Sequence, residues 1–529
     1  MEKLHFLSDR LIPAKLNRLQ KWDRQPLKFC PIVHCQISVL VVTDYGGSFD
    51  SGGFGLESFL KAFDDPLPYT SFNITKANRR ADASADIEHF RFDAHNLNEY
   101  DVILLFGIER PAFRPAAGAN VVDEDELEAI TRFMDQGGGM FATGDHEDLG
   151  VDMCGRIPRV RSMRRWYTAA NPGPNGEPFA PPQGGGGEHN TIVNNGNQSD
   201  LFPQHITVSY NYGISHLGFQ PHQIYQYVKY PHPVLCSPDG VIDVLPDHMH
   251  EGLCEVPNNL GMSFTFNGYT TQEYPRVNRV PLRPKLIAHA KNQNRNTRFG
   301  VIGVLDGHEH PKMGRVLVDA TWHHFFNVNI DQWQDLKELV DGGHVPTPAE
   351  QTALEQYNLI QHYYRNIVYW LAPRNKQSCF RRRGWIFLLN HRDIAMSITT
   401  IPKKWTIYDR FRYWHLIGVL AKNALGDIQS ACQTRALIPI FDKVLPTRRV
   451  PDFRSDEFSM FDPEVFETAS MGSALHNLQY EMTRNKGELN DEQIDKIINK
   501  AVDEATSAVS YNAKLSASRF RNRIRKLIG

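Results

Sequence analysis

The stretch GGGMFATGDHEDLG, residues 137 to 150, joins three glycines to a short apolar run that precedes a cluster of ionisable groups. Residues 140–143 predict a buried strand, and after Gly144 come Asp145, His146, Glu147 and Asp148. A surface turn produces such a pattern, and so does an active site at the end of a strand. Ligands of open α/β sheets bind beyond the carboxyl ends of the strands, so the question is whether the rest of the chain predicts such a sheet.

Strands alternate with helices before this stretch. The predicted strands are 37–42, 69–77 and 100–108, and the predicted helices are 56–63 and 121–139. The second helix has acidic residues in its first turn, which suits the helix dipole, and it stops at glycines. Strands that are continuous apolar runs between helices indicate a parallel sheet with both faces covered.

The same pattern resumes with KLIAHA (285–290), FGVIGVLDG (299–307) and GRVLVDATWHHFFNVNI (314–330). The last two segments predict a hairpin that returns to the sheet. Between the two halves, residues 171–198 are rich in glycine, proline and asparagine, which is typical of a loop. Either this insertion is disordered or it forms a lid, and long loops in compact enzymes are more often functional.

The chain therefore predicts an α/β protein with a doubly wound, mostly parallel sheet of the flavodoxin-like type. The predicted regions are an N-terminal extension (1–34), the α/β domain (35–349) with a Gly/Pro-rich insertion at about 150–283, and a mostly helical C-terminal region (350–529). A length of 529 residues is too great for one compact core, which agrees with more than one domain.

Composition narrows the class of protein. Hydrophobic residues make up 41% and charged residues 22%, and the net charge of −2 gives no general reason to expect nucleic acid or a membrane as a partner. No window is long and apolar enough to span a membrane, and the first residues lack the apolar core of a signal peptide. The 7 cysteines are scattered without a C-x-x-C pair, so we expect no disulfide framework, no zinc ribbon, and a reducing, cytoplasmic location.

Carboxylates stand at the predicted ends of three strands: Asp44, Asp145 and Asp319. Histidines accompany two of these carboxylates: His146, His323 and His324. The insertion carries a further cluster, LPDHMHEGLC, with Asp247, His248, His250 and Glu251. Imidazole and carboxylate groups are the ligands of zinc, manganese and iron sites.

The predicted metal ligands are Asp145, His146, His248, His250, Glu251 and His323. On an extended segment His248 and His250 point to the same side, so both can reach one ion. If residues 321–326 form a strand, the adjacent histidines point to opposite sides and only one faces the site. A single histidine is more often a surface or interior residue than a ligand, and these clusters match no zinc motif of established spacing. Their position at strand ends is what favours a site.

The order of elements resembles the class I glutamine amidotransferase-like superfamily, and within it the ThuA-like (trehalose-utilisation-type) domains. The residues that carry the likeness are VLVVTDYGGSFD (39–50), YDVILLFGI (100–108), FMDQGGGMFATGDH (133–146), GRVLVDATWHHFFNVNI (314–330) and YYRNIVYWLA (363–372). The likeness covers roughly residues 35 to 372 and is interrupted by the insertion.

Members of this superfamily with amidotransferase activity place a cysteine on the turn after the strand that corresponds to residues 140–143. Here the turn holds Gly144, Asp145 and His146, so it offers no thiolate to take up the glutamine acyl group, and glutaminase activity is not expected. ThuA-like domains similarly lack this cysteine and carry a histidine after the last strand, where His323 stands. The resemblance also implies a sugar-like substrate.

Two classes of function remain open. The first is an enzyme, most simply a metal-dependent hydrolase in which zinc, manganese or iron lowers the pKa of a bound water. Its predicted catalytic groups are Asp145 and His323, with Asp319 or Asp44 as general base. A metal-free form pairs His323 with Asp145 or Asp319, as an isomerase or lyase acting on a sugar-like small molecule. The second class is a non-catalytic ligand-binding, sensory or assembly module.

The end of the chain is strongly basic. The stretch SRFRNRIRKLIG at 518–529 contains Arg519, Arg521, Arg523, Arg525 and Lys526. These cations suit a solvated helix end, where they complement the dipole, or else a site for an acidic partner or for nucleic-acid phosphate. Apart from this stretch we expect a small-molecule substrate, no membrane partner and no nucleic acid.

Overall fold

The structure is a computed structural model of the 529-residue chain. It describes residues 34–44, 47–108, 124–144, 150–166, 203–219, 222–246, 252–291, 298–398, 401–426, 428, 463–485 and 489–528. Two of the predicted regions lie outside these ranges, namely the loop at 171–198 and nearly all of the extension at 1–34.

The strands of the described residues are β1 Cys35–Thr43, β2 Thr70–Asn78, β3 Val102–Phe106, β4 Gly139–Thr143, β5 Gln204–His205, β6 Thr207–Val208, β7 Tyr210–Phe219, β8 His222–Pro231, β9 Cys236–Ser237, β10 Gly240–Val241, β11 Val244–Leu245, β12 Ser263–Phe266, β13 Tyr269–Gln272, β14 Arg276–Val277, β15 Val280–Pro281, β16 Lys285–Lys291, β17 Arg298–Leu305 and β18 Val316–Asp319. Eight of them form the central sheet in the order β2-β1-β3-β4-β18-β17-β16-β6. The other described strands form five two-stranded sheets, all of them within the predicted insertion at 150–283 and separate from the central sheet.

The central sheet is mixed. The five strands β2, β1, β3, β4 and β18 run parallel to one another. The remaining strands β17, β16 and β6 are each antiparallel to the strand before them in the sheet. The four predicted strands before the insertion are confirmed, and so is the hairpin of β17 and β18. Every residue of β3 and β4 is buried, as expected for strands covered on both faces.

The helices of the described residues are α1 Glu57–Lys61, α2 Glu124–Asp135, α3 Val151–Cys154, α4 Val160–Met163, α5 Asp331–Asp341, α6 Pro348–Leu371, α7 Arg374–Asn390, α8 Arg392–Ser397, α9 Ile407–Gly426, α10 Pro463–Arg484 and α11 Asp491–Ile528. Helix α6 begins with a capping box, in which the Thr347 side chain accepts from the backbone of Glu350 and the Glu350 carboxylate accepts from the backbone of Thr347. The described residues after 350 are mostly helical, in agreement with the sequence pattern.

Two hydrophobic cores are present. The first includes both faces of the central sheet and the buried side of α6, which contacts β4 and β18. The second lies among α7, α9, α10 and α11. Helix α7 joins them, since Phe380 belongs to the first core and Trp385 to the second. No helix among these residues combines the length and the apolarity that crossing a membrane demands.

A disulfide between Cys35 and Cys379 joins the first residue of β1 to helix α7, with their Cα atoms 6.0 Å apart. The sequence predicted no disulfide framework, and among the described cysteines this is a single bond, with Cys154, Cys236 and Cys254 as thiols. Cys35 and Cys379 are 344 positions apart and meet only because α7 packs back against β1. The cytoplasmic location stays a prediction.

Candidate functional site

The parallel strands bring their carboxyl ends to one edge of the sheet. Thr43, Phe106 and Thr143 are paired side by side at the ends of β1, β3 and β4. Val318 pairs with Ala142, so Asp319 ends β18 level with Thr143. The chain order of the strands also reverses between β1 and β3, and such a reversal is where open α/β sheets form a ligand crevice.

Asp319 and His324 form a buried pair at this edge. The Nδ1 atom of His324 lies 2.7 Å from Oδ1 of Asp319, and neither side chain is exposed to solvent. The other carboxylate oxygen accepts from the Tyr363 hydroxyl at 2.6 Å, and Oδ1 also accepts from the backbone N–H of Thr321 at 3.2 Å. The carboxylate is thus held by three donors, which fixes the orientation of the imidazole ring.

A tight turn creates this pair. Residues 322–324 form a 3-10 turn, and the hydroxyl of Thr321 caps it by accepting from the backbone N–H of His323 at 3.2 Å. The turn folds His324 back onto Asp319, five positions earlier. The expectation that residues 321–326 form a strand is wrong, because β18 ends at Asp319. His323 and His324 are consequently both buried, and His324 is the residue paired with Asp319.

Within the part of the chain that the structure describes, several buried polar atoms at this edge have no hydrogen-bond partner, and among them are Nε2 of His324 and the hydroxyls of Thr43 and Thr143. Because the carboxylate of Asp319 accepts from Nδ1, the neutral ring carries its proton there and Nε2 is a bare acceptor. A buried polar group without a partner costs about 1–3 kcal/mol. Groups of this kind are rare in native proteins and need an explanation, and a ligand that bonds to them supplies one.

Aromatic side chains surround the pair. Phe325 lies within 6.1 Å, between ring centroids, of five rings: Phe59, Phe106, Phe141, Tyr363 and Tyr364. The Tyr364 hydroxyl donates to the backbone carbonyl of His324 at 2.5 Å. Burial, followed by the charge of Asp319, raises the pKa of Tyr363 well above its ordinary value. The Tyr363 hydroxyl therefore stays protonated and remains a donor to the carboxylate.

Cys254 lies near the same carboxylate but is not a nucleophile. Its Sγ atom donates to the carbonyl of Val301 at 3.0 Å. Burial, followed by the charge of Asp319, raises the pKa of the thiol well above its ordinary value. Since the thiolate is the reactive form, this cysteine is inert and structural.

Asp44 has a different environment from Asp319. Its carboxylate lies 3.0 Å from Nε of Arg80 and 3.6 Å from Nε of Arg79. Arg79 is fully buried and also binds Glu126 through two hydrogen bonds of 2.6 and 2.9 Å. This ion-pair cluster joins the ends of β1 and β2 to helix α2, so the geometry gives Asp44 a charge-neutralising role. Its use as a general base stays a prediction.

Five predicted site residues lie outside the described ranges: Asp145, His146, His248, His250 and Glu251. The residues that flank them contact the turn that carries His324. The carbonyl of Gly144 accepts from the backbone N–H of Trp322 at 2.8 Å. Gly252 packs so closely on Ala320 that a Cβ atom there would lie 1.8 Å from the Ala320 carbonyl oxygen. Within the described ranges, no three His, Cys, Asp or Glu side chains are placed to hold one metal ion.

A surface groove of about 550 Å³ lies at the opposite edge of the sheet. Its lining includes Asp101 before β3, Gly138 before β4, and Lys312. The carboxylate of Asp101 is already paired with Lys376 at 3.2 Å. We assign the candidate site to the carboxyl edge instead, because the unpaired Nε2 atom of His324 and the unpaired threonine hydroxyls lie there, whereas none of the described residues that line the groove carries such an atom.

Comparisons with known proteins leave the family open. No protein-family model matches this chain, and neither a curated protein nor a solved structure matches it. The assignment of a function therefore rests on the geometry of the carboxyl edge.

Proposed function

We propose that this chain is an enzyme in which His324, oriented by Asp319, transfers protons to and from a small polar substrate. The observation that carries the proposal is the fully buried Asp319–His324 pair, in which the imidazole Nε2 atom has no hydrogen-bond partner among the described residues. We also propose that the sheet is of the doubly wound, flavodoxin-like type found in ThuA-like domains. That resemblance is what suggests a sugar-like substrate.

The chemistry follows from the pair. Nε2 of His324 accepts a proton from a substrate carbon or hydroxyl, and the ring becomes an imidazolium. The carboxylate of Asp319 stabilises this charge through Nδ1, and Tyr363 holds the carboxylate in place. The ring then returns the proton to a neighbouring substrate atom. These proton-transfer steps are those of an isomerase or a lyase. They require only His324, Asp319 and Tyr363, which are in contact.

A metal-dependent hydrolase is the second candidate. Histidines that bind metals usually donate their other ring N–H to a carboxylate, and His324 donates to Asp319 in this way. Zinc, manganese or iron fits Nε2 as one ligand, with the remaining ligands drawn from the predicted set at 145–146 and 248–251. Such a metal lowers the pKa of a bound water. The contacts of Gly144 with Trp322 and of Gly252 with Ala320 favour this candidate, since these glycines adjoin the two predicted ligand segments in the sequence.

Exchange of substrate hydrogen for solvent deuterium tests the proposal. Candidate aldoses, ketoses and sugar acids are incubated with the protein in D₂O and followed by proton NMR. We expect exchange at one carbon with the wild type and a loss of about 100-fold or more with His324→Gln. The matched control is His344→Gln, which changes an exposed histidine on the surface and should retain the rate.

Metal content separates the two candidates. If the wild type binds a metal in near-stoichiometric amount and both His324→Gln and Asp145→Ala lose it, the hydrolase is correct. If the metal-free wild type catalyses exchange, the isomerase or lyase is correct. If the folded wild type binds a sugar but neither exchanges hydrogen nor hydrolyses any substrate, the chain is a non-catalytic binding module.

A further inference from the structure

The last part of helix α11 projects from its bundle. Earlier in the helix, Ile494, Ala501 and Ala508 are buried in the second core. From residue 518 to 526 every residue is exposed. With a rise of about 1.5 Å per residue, the exposed part is about 13 Å long. At the start of this part Arg519 lies 5.8 Å from the centre of the Tyr408 ring on α9, and beyond it residues 520–526 are all exposed among the described residues.

This part of the helix carries charge of one sign. Residues 514–526 contain six cations and no acid: Lys514, Arg519, Arg521, Arg523, Arg525 and Lys526. The whole chain has a net charge of −2, so the positive charge is a local feature. Local charge of this density attracts an anionic surface.

The cations are arranged around an apolar stripe. At about 100° per residue, Phe520 and Ile524 lie on one side of the helix. Phe520 is 67% exposed and Ile524 is 37% exposed. Arg523 flanks one edge of this stripe and Arg521 and Lys514 flank the other, at about 80–100° from its centre, whereas Arg519, Arg525 and Lys526 lie farther round the helix, at about 120–140°. The face opposite the stripe carries Ser518 and Asn522.

We infer that residues 514–526 bind the surface of an anionic lipid membrane, with the helix lying in the plane of the interface. An exposed apolar stripe enters the boundary between headgroups and acyl chains, and long cationic side chains on both edges reach the phosphates. Binding to a nucleic-acid phosphate backbone would leave the exposed Phe520 and Ile524 side chains without an apolar partner. The inference is independent of the proposed function, and it replaces the expectation from composition that no membrane takes part.

Co-sedimentation of the full chain with vesicles tests this inference. We expect binding to phosphatidylcholine vesicles that contain phosphatidylserine and much weaker binding to phosphatidylcholine alone. The Arg521→Gln/Arg525→Gln variant should bind at least about tenfold more weakly, since each cation contributes about fivefold near an anionic surface. The Phe520→Ser/Ile524→Ser variant keeps every charge and should also bind at least about tenfold more weakly, because the apolar stripe is lost.

The matched control is Lys496→Gln/Lys500→Gln. It removes the same charge from exposed positions of the same helix, where the lysines pair with Glu492 and Glu504. This control should bind vesicles like the wild type. Circular dichroism and the unfolding midpoint establish that each variant is folded.

Three results would overturn the inference. The first is a wild type that does not sediment with phosphatidylserine vesicles at low salt. The second is a Lys496→Gln/Lys500→Gln control that loses as much binding as Arg521→Gln/Arg525→Gln. The third is tight binding to duplex RNA or DNA that Phe520→Ser/Ile524→Ser leaves unchanged while vesicle binding stays weak, which would identify nucleic acid as the partner.

Discussion

Replacing Asp319 tests whether its carboxylate organises the site. In Asp319→Ala the ring N–H of His324, the hydroxyl of Tyr363 and the backbone N–H of Thr321 all lose their acceptor. Each buried donor left unpaired costs about 1–3 kcal/mol. Allowing for relaxation, the free energy of unfolding should fall by roughly 3–6 kcal/mol. Globular domains have about 5–15 kcal/mol in total, so this variant approaches the limit of stability.

Asp319→Asn separates the chemical effect from the structural one. The amide keeps the shape and one acceptor oxygen, so the loss of stability should be about 1–3 kcal/mol. Its NH₂ group can face His324 only if the ring moves its proton from Nδ1 to Nε2. His324 can then no longer accept a proton from substrate. By comparison with other aspartate–histidine pairs, the rate should fall by about 10³- to 10⁴-fold.

Urea unfolding measures the first effect and deuterium exchange on the substrate measures the second. Glu126→Gln is the control, because it disturbs the buried ion pair with Arg79 without touching the Asp319 pair. It should lose stability and retain the exchange rate under folding conditions. If Asp319→Ala unfolds within about 1 kcal/mol of the wild type, the carboxylate does not hold three buried donors and the reasoning fails.

Three further predictions concern other parts of the structure. Gly252→Ala places a Cβ atom 1.8 Å from the Ala320 carbonyl oxygen, so we expect the free energy of unfolding in urea to fall by about 1–3 kcal/mol. An unchanged free energy of unfolding would show that Gly252 does not pack on Ala320. Cys35→Ser should lose about 2–5 kcal/mol under non-reducing conditions and nothing relative to wild type under reducing ones, and a peptide map without a Cys35–Cys379 cross-link would contradict the pairing. Burial, then the charge of a nearby arginine, lowers the pKa of His362 to about 3, whereas its ordinary value is 6.5. The unfolded chain therefore takes up this proton first, so the associated stability is complete above about pH 6.5 and is lost as pH falls towards 3, by at most about 1.4 kcal/mol per pH unit. His362→Gln should show a smaller drop in unfolding free energy between pH 7 and pH 5 than the wild type, and an equal drop would refute the assignment.

The strands of the central sheet could be predicted from the sequence where a run of apolar residues indicates that the strand is buried. β3 and β4 are short runs in which every residue is apolar or small, and strands covered on both faces require such runs. The acidic residues in the first turn of α2 and the glycines before β4 indicated where helix α2 begins and ends. The antiparallel direction of β16 and β6 could not be read in this way, because strand direction depends on connections through the insertion.

The pairing at the candidate site could only partly be predicted. The sequence placed Asp319 and two histidines at a strand end, and the resemblance to ThuA-like domains made His323 the favoured residue. The actual choice of His324 depends on the turn at 322–324, which Thr321 caps. A threonine two positions after a strand-terminal aspartate is the local signal for such a turn. The contribution of Tyr363 comes from packing of α6 and has no local signal.

Long-range contacts account for the remaining differences. Cys35 and Cys379 lie 344 positions apart, and nothing near either residue indicates its partner. The ion pairs of Asp44 with Arg79 and Arg80 likewise join separate strands. Such contacts depend on how the elements pack, whereas the sequence pattern reports only each element's own burial.

Nitrogen NMR of the protein labelled with ¹⁵N-histidine tests the central claim most directly, because it observes the Nε2 atom of His324. The signal is assigned by its loss in His324→Gln, and ring-proton couplings report which nitrogen carries the proton. We expect the neutral ring to carry its proton on Nδ1 and to leave Nε2 without one, and we expect the proton to move to Nε2 in Asp319→Asn. A wild-type ring protonated at Nε2, or a ring whose proton does not respond to Asp319→Asn, would contradict this claim.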